Sequence, residues 1–111
     1  FFNPDAYCRF VNSARTQGIA GEIIPGIMPI NNYEQLARFS DACGAEIPRW
    51  LRKRLEALGD DKAAIAELGL EVISDLCERV IKGGASGLHF YAMNALEPTR
   101  TLLERARALQ V

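Results

Sequence analysis

The stretch GEIIPGIMPINNYEQL, residues 21–36, decides the fold. Glu22, Ile23 and Ile24 read as a short buried strand, a brief apolar run bounded by turn residues. Pro25, Gly26 and Pro29 then stiffen the chain. Proline fixes φ, while glycine lets backbone approach a neighbour closely or adopt φ > 0. Asn32 closes the corner as a helix cap ahead of an apolar-periodic run. In parallel α/β folds ligands gather where strands end and the next loops begin, and residues 25–32 occupy that place.

Working outward, Asn3 and Pro4 open a first helix, an asparagine cap followed by proline where the missing N–H costs nothing. Tyr7, Phe10, Val11 and Ala14 fall on its inner face, and Gly18 stops it. Ahead of it, Phe1-Phe2 reads as the end of a further buried strand. A second helix over residues 32–43 turns Leu36, Phe39 and Cys43 inward. Ile47-Pro48 starts a third, with Leu51, Leu55 and Leu58 buried and Trp50 packing between layers. Gly59-Asp60 breaks the run. Asp61 caps a long fourth helix whose stripe is Ile65, Leu68, Val72, Leu76 and Val80. After Gly83-Gly84, residues 88–91 form a second short strand. Asn94 and Glu97 have capping-box spacing for a last helix with Leu102, Leu103, Ala106 and Leu109 inside. Strands alternating with helices imply parallel pairing through crossovers. Two strands and a fragment cannot close a sheet, so the chain reads as part of a larger α/β fold.

The totals agree with one small folded unit. With 49% apolar residues among 111, a core is within reach. A formal charge of −1, with basic residues spread along helices, argues against a nucleic-acid or membrane footprint. No apolar run approaches the roughly 20 residues that span a bilayer, and no charged-then-apolar leader is visible. Cys8, Cys43 and Cys77 lack metal spacing and read as reduced core thiols of a cytoplasmic protein. No metal site is expected. His89, the single histidine, reads as structural. Asp60-Asp61 is a solvated helix start and Arg49, Arg52, Lys53 and Arg54 a solvated face.

Two residues of the second helix are candidate ligand contacts. Gln35 and Phe39 lie four apart, on one side of the first turns. An amide that donates and accepts, beside an aromatic face, suits a flat heteroaromatic ligand. The same spacing has a plainer reading: Gln35 completes a capping box with Asn32, and Phe39 is a core residue.

EIIPGIMPINNYEQLARF, IPRWL and GLHFYAMN together resemble the C-terminal part of the methylenetetrahydrofolate reductases, and FFNPDAYCRF resembles an inner strand end and helix of that family. The similarity runs over essentially all of residues 1–111. It implies the C-terminal part, about three strand–helix units, of a β/α eight-stranded TIM barrel. It also implies an oxidoreductase in which NADH or NADPH reduces FAD, and the flavin reduces 5,10-methylenetetrahydrofolate to 5-methyltetrahydrofolate in ping-pong fashion. By motif position Gln35 matches the glutamine on the folate pterin, and Phe39 the aromatic packed against folate or the nicotinamide cofactor. The family's catalytic glutamate and flavin-binding residues would precede Phe1, so this segment holds no catalytic or FAD-binding residue and alone is expected to be inactive. The complete enzyme is expected to be a cytoplasmic homo-oligomer. Where many relatives carry arginine after the asparagine of the LHFY segment, this chain has Ala95, which cannot make that folate contact. Two other readings stay open: a non-catalytic helical interaction module on a barrel-derived scaffold, and a piece of another β/α-barrel enzyme.

Overall fold

Three helices begin where side-chain caps are available. Asn3 Oδ1 accepts from the Asp5 amide at 2.9 Å, Asn32 Oδ1 from the Gln35 amide at 2.7 Å, and Asp61 Oδ1 from the Ala64 amide at 3.1 Å. The structure, a computed structural model, describes residues 1–92 and 96–109. Its elements run α1 (Pro4–Thr16), β1 (Gly26–Ile27), α2 (Tyr33–Cys43), α3 (Arg49–Leu58), α4 (Lys62–Lys82), β2 (His89–Phe90) and α5 (Thr99–Leu109). β1 and β2 pair in parallel, with Gly26 opposite His89 and Ile27 opposite Phe90. Among the described residues the sheet has these two strands. The fold is therefore a helix-rich α/β arrangement.

The strand expected at residues 22–24 forms further on. Its ladder lies at Gly26–Ile27, inside the segment read as the corner. The hydrogen bonds give the reason: the first pairing acceptor is the Pro25 carbonyl, which takes the His89 amide at 3.0 Å, and the Ile27 carbonyl takes the Tyr91 amide at 2.9 Å. Neither bond needs the N–H that proline lacks. A Cβ at Gly26 would sit 2.6 Å from Tyr91 Cε2, so any larger residue there would push the exposed Tyr91 ring aside. Phe1-Phe2 joins no ladder; Phe2 is instead buried in the core, and Phe1 stacks on Tyr7 at 5.9 Å between ring centroids.

α4 is the spine. Ile65, Leu68, Gly69, Val72, Ile73, Leu76, Cys77 and Val80 are all buried along it, and α1, α3 and α5 pack on it. Leu51 and Leu55 of α3 are buried as expected, with Leu58 partly so. Other inner faces turn out narrower than the period implied. On α2 the buried line is Leu36 and Ser40, so Phe39 sits at its edge, partly buried, and Cys43 is exposed. On α1, Ala14 is buried while Phe10 is 64% exposed. Trp50 is 49% exposed rather than enclosed between layers, and Leu103 and Leu109 of α5 face outward beside buried Leu102 and Ala106. Of the three thiols, Cys77 alone is a core residue; Cys8 is half-buried. Asn94 of the expected capping box lies outside the described residues. Glu97 Oε2 accepts from Thr101 Oγ1 at 2.8 Å.

The sheet has two unlike faces. Pro25, Ile27 and Pro29 are buried, whereas Ile24, Gly26 and Met28, which alternate with them, are partly or largely open. On β2, Phe90 packs on the core while His89 and Tyr91 are exposed, their rings edge to face at 4.8 Å. Side chains alternate across a strand, so one face is covered by helices and the other faces outward. Parallel sheets are ordinarily covered on both faces.

Candidate functional site at the C-terminal end of the strands

Both strands end on the same side, as parallel pairing dictates. The chain leaving β1 runs through Met28, Pro29 and Ile30 to the Asn32 cap of α2. Ile30 is buried against α4, where Gly69 leaves room: a Cβ there would lie 3.0 Å from both Ile30 Cβ and its carbonyl oxygen. The corner is thus seated on the most heavily buried helix of the fold, which fixes where α2 begins.

Gln35 stands in the first turn of α2 and Phe39 one turn later, both partly buried. The capping box is only half formed. Asn32 takes the Gln35 backbone amide, but among the described residues the Gln35 side-chain amide has no hydrogen-bond partner. The reciprocal bond of a full capping box, from the Gln35 side chain to the Asn32 amide, is therefore not made among the described residues. Phe39 lies beside the buried Leu36–Ser40 line, with part of its ring surface open. The helix brings the two together. Neither lines the principal clefts of the described residues, and each is partly exposed.

Pattern reading missed one cluster next to this pair. Tyr33, the first residue of α2, donates its hydroxyl to Glu56 Oε1 at 3.0 Å and accepts from an Arg52 guanidinium nitrogen at 3.2 Å. Burial, then the Glu56 bond, raises the phenol's pKa above its usual value, against the pull of Arg52. Arg52 and Glu56 are one turn apart on α3, which was the available signal. The cleft of about 540 Å³ beside them is bounded by Asn32, Tyr33, Leu55, Glu56 and Ile65. His89 makes its contact with Tyr91, and no group of His, Cys, Asp and Glu suited to a metal occurs among the described residues. No helix among them is long and apolar enough to cross a membrane.

The described residues thus form a helix-rich α/β unit in which the corner after β1 leads into the helix that carries Gln35 and Phe39. Its sequence matches the family described as Methylenetetrahydrofolate reductase over residues 1–107, and the chain belongs to that family. Similar relatives include Methylenetetrahydrofolate reductase (NADH) 1 of Zea mays, 34% identical over 94 residues, covering 85% of this chain and 16% of that protein. The 5,10-methylenetetrahydrofolate reductase of Escherichia coli is 33% identical over 97 residues, covering 87% and 33%. Methylenetetrahydrofolate reductase 1 of Schizosaccharomyces pombe is 33% identical over 105 residues, covering 95% and 17%. The chain spans about a third of the length of the bacterial relative and about a sixth of the other two.

Proposed function

We propose that residues 1–111 supply the C-terminal three or so strand–helix units of a β/α eight-stranded barrel. The complete barrel enzyme would reduce 5,10-methylenetetrahydrofolate to 5-methyltetrahydrofolate with NADH or NADPH in a ping-pong cycle. The observation that carries this reading is the family match over residues 1–107. The sheet face left open by Ile24, Gly26, His89 and Tyr91 supports it, being the face that further strands and their side chains would cover. The same family reading makes the complete enzyme a cytoplasmic homo-oligomer and leaves the isolated segment inactive.

FAD supplies the hydride relay when bound. The family reading assigns its binding to residues that precede this segment in the complete enzyme, and gives this segment a part in substrate recognition. A pterin edge alternates donors and acceptors, and the free Gln35 amide can pair with both kinds while orienting the ring. Phe39 offers an aromatic face to the folate or nicotinamide ring and excludes water beside it.

The test is Gln35→Ala in the complete polypeptide. Losing a hydrogen bond to a buried ring costs about 1–3 kcal/mol, so kcat/KM for methylenetetrahydrofolate is expected to fall about 5–150-fold. Reduction of the flavin by the nicotinamide cofactor should change less. Folate turnover indistinguishable from wild type overturns the assignment.

A further inference from the structure

Gln35 and Phe39 can meet a substrate only if α2 is held at one rotation about its axis. Its buried anchors are two, Leu36 and Ser40, against eight buried residues along α4, so packing holds α2 by a narrow line. α2 also lies outside the principal helix packing, in which α1, α3 and α5 all sit on α4. Tyr33 provides the directional tie. Its ring packs against the core, and its hydroxyl both donates to Glu56 and accepts from Arg52, a pair of bonds with angular preferences. The platform receiving them is firm, because α3 is fastened by fully buried Leu51 and Leu55 and packs on α4.

We infer that Tyr33, clasped by Arg52 and Glu56, is a positioning residue that sets the rotation of α2 and thereby aims Gln35 and Phe39 at the substrate. Gln35 lies two residues on, about 200° round the helix from Tyr33, so the clasp grips one side while the amide works on the other. A side-chain tip 6–7 Å from the axis moves about 1 Å for every 10° of helix rotation, and a misplacement of that size is enough to matter for a bound reactant. The clasp is solvent-exposed, so breaking it should cost little stability.

This inference rests on the pocket reading above, and the test separates the two. In the complete reductase, Tyr33→Phe keeps the ring and removes the bonds; KM for methylenetetrahydrofolate is expected to rise about 3–10-fold with kcat changed less than about twofold. In a Gln35→Ala background the same change should add less than about 1.5-fold, because residues acting as a unit are not additive. Glu56→Leu should reproduce the effect with Tyr33 intact, and Glu56→Gln, which keeps an acceptor, should restore values to within about twofold of wild type. If Tyr33→Phe is silent, or costs the same factor in both backgrounds, the positioning role is overturned while the pocket reading stands. If Gln35→Ala is itself silent, both fall.

Discussion

α4 and the corner between β1 and α2 are built by opposite rules. α4 buries seven side chains and Gly69, and those side chains belong to one core cluster with Phe2, ahead of α1, and residues of α2, α3 and α5. α2 buries two, Leu36 and Ser40, and leaves a glutamine amide without a partner among the described residues. One element is finished, while the other keeps polar capacity in reserve. Stability concentrates in the first and recognition in the second, as expected when binding elements come from the less stable parts of a fold.

The contrast can be broken most readily at its strong end. Ile73→Ala or Leu76→Ala on α4 removes a fully buried side chain, and losses of about 2–5 kcal/mol are expected. In the 111-residue chain that should abolish any cooperative thermal transition. Survival of the transition would mean that α4 is not the spine. Gly69→Ala attacks the seam between the regions, pressing a methyl onto Ile30 Cβ and its carbonyl. Overpacking of this kind costs about 1–3 kcal/mol, and because it displaces the corner it should also weaken folate binding in the complete enzyme.

Amide hydrogen exchange sharpens the comparison without mutation. Central α4 amides should exchange at least about tenfold more slowly than those of the first turns of α2; equal protection would erase the distinction. Thiol chemistry gives a smaller reading of the same gradient. Cys43, exposed, should be alkylated first, Cys8 next and Cys77 last, since burial pushes the Cys77 thiol up to about 11. The raised value favours the neutral thiol in the folded state. Its contribution is therefore intact below pH 9 and is lost as pH climbs from 9 towards 11. Least of all should come from Arg54→Ala, whose exposed pairing with Glu71 at 3.9 Å is worth less than about 0.5 kcal/mol.

How much of this was legible in the sequence follows the same division. The α4 stripe could be read directly, because period alone determines which side chains share a face. The three caps at Asn3, Asn32 and Asp61 were equally plain, being local hydrogen bonds. Phe10, Trp50 and Cys43 were misplaced because period tells which residues lie together but not how wide the covered stripe is. Residues 22–24 look more strand-like than Gly26, yet pairing is set by which carbonyls meet β2, and those belong to Pro25 and Ile27. At the candidate site the sequence placed Gln35 and Phe39 on one side of α2 but left the capping box undecided. The Tyr33 clasp escaped because the one-turn spacing of Arg52 and Glu56 shows that they share a face of α3 but not that a residue of α2 reaches them.

The most direct measurement is a crystal structure of the complete reductase with a folate bound. The account predicts the Gln35 amide within about 3.2 Å of a pterin ring nitrogen or oxygen, Phe39 against the ligand's ring system, and Tyr33 still held by Glu56 and Arg52. A folate seated at the barrel mouth with the Gln35 amide pointing to solvent, beyond hydrogen-bonding reach, would contradict it.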